Sequence, residues 1–263
     1  MPFSTDPYPG APPPGTRLYV VGDIHGYPDH LARLHELILE DAATAGAARN
    51  VVVYVGDYVD RGPDSRRVIE TLLRSPLPGF ESVHLMGNHE AAMLSFLDEE
   101  ELQMDWLGFG GAQTLGSYGV SSPRRFVEFR EAREELARKL PPDHSAFLRG
   151  LALSHTEGDF FIVHAGVRPG APLSAQVEDD LLWIREPFLS SRETFGKIVV
   201  HGHTIDRQPQ VRSNRIGVDT GIYRYGRLTC AVMEGGRLGF LRVLIRLQYP
   251  TASPAGRRLS FAP

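Results

Sequence analysis

The chain has 263 residues, 42% hydrophobic and 23% charged, with a net charge of −4. That length and balance suit one large folded domain, and they give no bulk preference for nucleic acid or an anionic membrane. The single cysteine, Cys230, excludes an internal disulfide and a Cys-based zinc finger. No run reaches the roughly 18 apolar residues that a membrane helix needs.

Residues 1–16 are rich in proline, including Pro12-Pro13-Pro14, and read as a mobile tail that can form neither helix nor central strand. The segment lacks a charged start followed by an apolar core, so a cytoplasmic location is the default expectation. A single domain is then expected over 17–248, with a C-terminal tail over 249–263. Leu18-Tyr19-Val20-Val21 predicts a strand, and Leu31 to Leu39 a helix. Val51 to Val55 is β-branched and continuous, which predicts a strand buried on both faces. A helix over Ser65 to Leu73, a strand over Val83 to Met86 and a helix over Ala91 to Leu97 complete a β-α-β-α-β series, the mark of an α/β sheet. From 99 to 151 the pattern is mostly helical and reads as an insertion forming a wall of a cleft. Further strands follow at Phe160 to Val163 and Lys197 to Val200, and strands dominate from there onward.

Polar motifs stand at the ends of these apolar runs: Gly22-Asp23-Ile24-His25-Gly26, Gly56-Asp57-Tyr58-Val59-Asp60-Arg61-Gly62, Gly87-Asn88-His89-Glu90, Val163-His164-Ala165-Gly166 and His201-Gly202-His203-Thr204. In α/β sheets ligands gather beyond the carboxyl ends of the strands, so the five are expected to converge. Together they offer carboxylates, imidazoles and one amide, without thiolate, a donor set for catalytic Mn²⁺, Fe or Zn²⁺ rather than structural zinc. Asp57, directly after the buried strand, is the natural carboxylate bridge between two ions. Asp23 and His25, two residues apart past a strand end, can face one ion, while Asn88, His164 and His203 add an amide oxygen and two imidazoles. Two ions sharing a water would yield hydroxide near neutral pH, so no Ser or Cys nucleophile is needed. His201 also forms a His-x-His pair with His203, but it is not expected to be a ligand.

Asp-x-His-Gly, Gly-Asp-x-Val-Asp-Arg-Gly and Gly-Asn-His-Glu, with His164 and Gly202-His203-Thr204, closely resemble the phosphoprotein phosphatase branch of the calcineurin-like metallophosphoesterases. The segment Trp106 to Gly119 and Leu182-Trp183-Ile184-Arg185-Glu186 look like its bacterial and phage-type members. The resemblance implies an α/β fold in which a two-sheet β-sandwich is flanked by helices. It implies that Asp23, His25 and Asp57 hold one divalent ion and that Asp57, Asn88, His164 and His203 hold a second, with Mn²⁺ the favoured metal. It assigns His89 as general acid, Asp60 as the carboxylate that orients it, and Arg61, Arg185 and Asn88 as phosphate-binding groups. The implied reaction is hydrolysis of phosphoserine and phosphothreonine in proteins or peptides, and of phosphotyrosine as a further option, by in-line attack of a metal-bridged hydroxide. Neither nucleic acid nor membrane is an expected partner, and nothing in the sequence requires a second subunit.

The rival reading is a nucleotide hydrolase similar to the symmetrical diadenosine tetraphosphatases, where some members carry another residue at the Asp60 position. A phosphodiesterase fits less well, because Ile205 replaces the second histidine of a Gly-His-x-His pattern. A non-catalytic scaffold is disfavoured by the intact His89, Asp60, Arg61 and Arg185. Tyr223 and Tyr225 have equal claims to line the cleft or to pack, and Trp106 and Trp183 are expected in the core.

Overall fold

The computed structural model describes residues 7–98, 106–123 and 126–245. In chain order the first half contains β1 (Thr16–Val21), α1 (Pro28–Ala45), β2 (Arg49–Tyr54), α2 (Ser65–Arg74), β3 (Phe80–His84) and α3 (Asn88–Asp98). A kinked turn over Leu107–Gly111 then leads into α4 (Ala112–Ser117), α5 (Phe126–Lys139) and α6 (Pro142–Arg149). The second half runs β4 (Ser154–Glu157), β5 (Phe160–Val163), α7 (Glu178–Trp183), β6 (Ile198–His201), β7 (Gln210–Val211), β8 (Arg215–Gly217), α8 (Ile222–Tyr225), β9 (Arg227–Glu234) and β10 (Arg237–Leu244).

Among the described residues these strands form two five-stranded sheets, one in the order β10-β9-β1-β2-β3 and the other β4-β5-β6-β8-β7. Period-two alternation along β1 and β2 sets their contact. Leu18, Val20, Val51 and Val53 face one way and pack with Phe160, Ile162, Val200 and Ile216 between the sheets. Tyr19, Val21, Val52 and Tyr54 face the other way, against Leu31, Leu34 and Ile38 of α1 and Val68 and Leu72 of α2. Each such side chain, fully removed from water, stabilises the fold by about 1.5–3 kcal/mol. The strand expected to be buried on both faces is so, and the reason is this double layer.

The pairs β1–β2 and β2–β3 are parallel, as are β5–β6 and β6–β8. Parallel strands deliver their carboxyl-end loops to one edge, and the polar motifs follow β1, β2, β3, β5 and β6. The two sheets approach closely there. A Cβ on Gly202 would lie 2.1 Å from an Asp23 carboxylate oxygen, and one on Gly22 would lie 2.6 Å from the Val218 carbonyl.

Of the expected insertion, 99–105 and 124–125 fall outside the described residues. The rest is helical and joins Trp106, Leu115, Tyr118, Leu136 and Leu148 to Met93 and Phe96 in a core of its own. Part of the segment read as a mobile tail is instead seated. Tyr8 stacks on Phe160 with ring centroids 6.4 Å apart, and its N–H donates to the Gly236 carbonyl at 2.7 Å. The Ala11 N–H donates to the Asp159 carboxylate at 3.0 Å, and Thr16 belongs to β1. Proline bars this segment from a helix or central strand, but not from lying across strand ends and bonding through its few N–H groups. The C-terminal tail, with 1–6, lies outside the described residues.

Candidate metal centre

Asp57 stands at the centre of the loop edge. Its carbonyl accepts the N–H groups of Ile24 and His25 at 3.0 and 2.7 Å, and its carboxylate accepts the His89 N–H at 3.1 Å. One buried carboxylate, Glu90, ties the same loops from below. Its Oε2 accepts the N–H groups of Asp57 and Gly87 at 2.8 and 3.0 Å, and its Oε1 those of Tyr58 and Val59 at 2.7 and 3.0 Å. Burial and the Asp57 charge push the Glu90 carboxyl up to about 8, against the pull of these donors. Among the described residues, the non-glycine positions at positive φ are His25, Asp57, Asp60, Arg61 and His203, all in these loops. Such backbone is costly and persists only where surrounding bonds over-determine it.

Two donor groups meet on Asp57: His25, Asp57 and His89 form one, and Asp57, His164 and His203 the other, with ligand atoms within 4.8 Å of one another in each. His25 donates through Nδ1 to the Val59 carbonyl at 3.0 Å, leaving Nε2 facing Asp57 at 3.6 Å. His164 donates through Nδ1 to the Val55 carbonyl at 2.9 Å and turns Nε2 toward Asp57 Oδ1 at 3.4 Å. Second bonds of this kind fix the tautomer of a ligating imidazole. Asn88 Oδ1 lies 2.9 Å from His164 Nε2 and 2.9 Å from His203 Nδ1. Asp23 completes the floor, its carboxylate accepting the His203 N–H at 3.1 Å.

These residues fit divalent cations. Among the described residues, His203 Nε2 is buried without a hydrogen-bond partner. Burial, followed by the charges of Asp219 and Asp57, pushes the Asp23 carboxyl well above its ordinary range. Burial alone also raises Asp57, but the surrounding His164, His89 and His25 carry it below that range. Burial lowers His25 to about 3 and His203 to about 2, so both imidazoles are neutral and able to ligate. An oxygen and nitrogen set of this kind holds borderline or hard metals.

His89 sits at the edge of the first group with its Nδ1 2.7 Å from Asp60 Oδ2. Asp60 is fully buried and receives the Trp106 indole N–H at 2.9 Å and the Thr114 hydroxyl at 2.6 Å. Burial pulls the His89 imidazole down, but Asp57 and Asp60 together raise it above its ordinary value. Its Nε2 lies 3.8 Å from Asp57 Oδ2, so the geometry offers this atom to a metal or to a substrate.

The cleft above has a volume of about 380 Å³, and Arg61, Arg185, Phe109, Trp183 and Tyr223 line it with the His and Asp residues. The Arg61 guanidinium lies 4.4 Å from the Tyr223 ring centroid. The residues that the resemblance named as ligands, acid, orienting carboxylate and phosphate-binding groups, Asp23, His25, Asp57, Asn88, His89, Asp60, Arg61, His164, Arg185 and His203, all lie at this edge. Trp106 is buried, as expected, whereas Trp183 corrects the core expectation: it is 37% exposed and forms cleft wall beside Phe109. His201 faces away from the donor groups. Its ring packs on Phe188 at 5.0 Å, and its Nε2 lies 3.4 Å from Arg215.

A profile of the calcineurin-like phosphoesterases matches residues 16–216. The chain belongs to that family. Serine/threonine-protein phosphatase 2 of Escherichia coli K12 is 27% identical over 221 residues, covering 81% of this chain and 90% of that one. The symmetrical bis(5'-nucleosyl)-tetraphosphatase of Methylococcus capsulatus is 31% identical over 154 residues, covering 58% of this chain and 44% of that one. A solved structure described provisionally as a diadenosine tetraphosphatase superposes with a TM-score of 0.61 at 25% identity, covering 88% of this chain and 95% of that one.

The phosphoesterase site also uses residues that motif reading left unassigned. Glu90 was visible in Gly-Asn-His-Glu, yet its four N–H partners come from backbone, which no side-chain pattern announces. Asp219 follows β8 as the other aspartates follow their strands, and that position was the available signal. Arg215 and Asn214 fasten the loop after Arg185 through the carbonyls of Leu189, Ser191 and Glu193.

Glu90→Gln keeps size but turns one oxygen into a donor, stranding two backbone N–H groups whichever way the amide lies. Each stranded group costs about 1–3 kcal/mol, so the variant should unfold at lower temperature and retain less metal by elemental analysis. His201→Ala should keep the wild-type metal content, and loss of an ion from it would place His201 among the ligands.

Proposed function

We propose that the protein is a dinuclear-metal-dependent phosphomonoesterase acting on phosphoserine and phosphothreonine in proteins, with phosphotyrosine as a further substrate. The carrying observation is the His89–Asp60 pair at the cleft floor, beside Asp57 and below Arg61 and Arg185. Asp23, His25 and Asp57 would hold one divalent ion, and Asp57, Asn88, His164 and His203 a second, with Mn²⁺ favoured and Fe or Zn²⁺ as alternatives. When bound, such ions supply Lewis acidity that activates water and offsets phosphate charge.

The chain's own groups do the rest. Arg61 and Arg185 neutralise the phosphoryl oxygens, since a planar guanidinium makes two parallel charge-assisted bonds that strengthen as charge develops. His89 delivers a proton from Nε2 to the departing alkoxide. Asp60 fixes the ring through Nδ1 and stabilises its protonated form, and Trp106 and Thr114 hold Asp60 in place. Asn88 adds an amide near the phosphate. The relative in Escherichia coli named as a serine/threonine-protein phosphatase, aligned over most of both chains, supports this substrate class.

The second reading, a dinucleoside tetraphosphate hydrolase, is favoured by the names of other relatives and by Phe109, Trp183 and Tyr223, whose rings could stack a base. Turnover of a phosphothreonine peptide and of diadenosine tetraphosphate with Mn²⁺ in one preparation separates the two. Preference for the peptide supports the protein phosphatase, and preference for the dinucleotide overturns it while keeping the metal chemistry.

His89→Asn should lower kcat by roughly 10²–10⁴-fold on an alkyl phosphate, and by less on p-nitrophenyl phosphate, whose leaving group needs little protonation. Asp60→Asn removes one source of the raised His89 pKa, so the alkaline limb of the kcat profile should move to lower pH. Equal loss on both leaving groups with an unmoved alkaline limb would remove His89 from the acid role.

A further inference from the structure

Several arginines of the molecule are matched to carboxylates. Arg17 meets Asp41 and Glu234, Arg49 meets Glu81 and Glu157, Arg149 meets Asp98, and Arg168 meets Asp180. Arg207, Arg224, Arg227 and Arg242 are not, a trait they share with Arg61, Arg185, Arg192, Arg212 and Arg215, and what sets the four apart is that they lie together. Among the described residues, no carboxylate oxygen lies within 4.0 Å of their guanidinium groups. They are nevertheless held together. Arg227 donates to the Arg207 carbonyl, and Arg242 donates to Gln208 Oε1 at 2.9 Å. Arg207 and Arg224 both lie over the Tyr225 ring, at 5.3 and 5.4 Å from its centroid. Burial, and then the charge of Arg227, lowers the pKa of the Arg242 guanidinium. The one carboxylate in the neighbouring loop, Asp206, accepts the Gln208 N–H at 3.3 Å.

This cluster begins at the cleft wall. Ile205 and Tyr223 line the cleft, and Arg207 and Tyr225 stand two residues beyond them on the same two segments. A Cβ on Gly221 would meet both Ile205 and Tyr225 within 3 Å, so the loop and α8 are in contact. From there Arg227 on β9 and Arg242 on β10, placed diagonally across the ladder, carry the charge away from the metal centre. Like charges gathered without a carboxylate partner among the described residues, on a chain whose net charge is −4, mark a surface that meets an anion.

We propose that this arginine rim binds acidic residues flanking the phosphorylated residue of a protein substrate, and so sets sequence preference. The inference rests on the protein phosphatase reading. Two features favour an extended acidic peptide over a nucleotide. The rim runs outward from the cleft to the sheet, and it lies beyond Phe109, Trp183 and Tyr223, the rings that could stack a base.

The test compares kcat/KM for two phosphothreonine peptides of equal length, one flanked by glutamates and one by glutamines. The ratio is measured in wild type and in the Arg224→Gln/Arg227→Gln/Arg242→Gln variant, so that any general loss of folding or metal cancels within each enzyme. Exposed charge contacts are individually weak, and several together should favour the acidic peptide by roughly tenfold at low salt. That preference should shrink at high salt, as screening requires, and fall to about one in the variant. Good turnover of both peptides with a wild-type ratio near one overturns the rim and leaves the phosphatase reading standing. Turnover of diadenosine tetraphosphate alone overturns both, and selective loss of that activity in the variant would reassign the rim to a polyphosphate chain.

Discussion

Three carboxylates, Asp23, Asp57 and Asp219, are buried within reach of one another's charge, and much of the structure serves to hold them there. Burial first, and like charge second, drives the Asp23 carboxyl up; burial also drives Asp219 up, to about 7. Such a group is stable as a set of anions only beside cations. Neutral imidazoles on two sides of Asp57, a partnerless His203 nitrogen and an amide oxygen between two histidines supply the remaining donors. The cost of this arrangement is spread over strained loops, and the Glu90 carboxylate with its four backbone donors keeps those loops from relaxing.

Parallel pairing explains why such a centre was open to sequence reading. A strand such as Val51 to Val55 announces itself by composition, and a polar residue directly after it must emerge at the carboxyl edge. Asp23, Asp57, Asn88 and His203 were legible for that reason. Trp183 was not, because a tryptophan in an apolar stretch looks the same whether it fills a core or walls a cleft. The seating of Tyr8 and Ala11 was hidden too, since it depends on Phe160, Asp159 and Gly236, far away in the chain. Short β7 and the Leu107–Gly111 turn carry no periodicity to detect. Glu90 shows the same limit inside a motif: its residue type was plain, whereas its work is done on main-chain N–H groups.

The candidate donors and the cleft walls occupy different layers of the molecule. The candidate metal donors, His89 and Asp60 lie on the floor where the two sheets meet, fixed by the same packing that fixes the fold. The walls come from other segments: Phe109 from the kinked turn after α3, Trp183 from α7, and Tyr223 from α8. Relatives of similar sequence bear the names of protein phosphatases and of dinucleoside tetraphosphatases. Substrate choice is therefore expected to follow the walls and the arginine rim.

The most direct test of the shared carboxylate is the metal content of purified protein, measured by elemental analysis on wild type and Asp57→Asn loaded side by side with Mn²⁺. A carboxylate common to both donor groups predicts about two ions per wild-type chain and near-complete loss of both in the variant. One ion in wild type, or two retained by the variant, would contradict a centre built around Asp57.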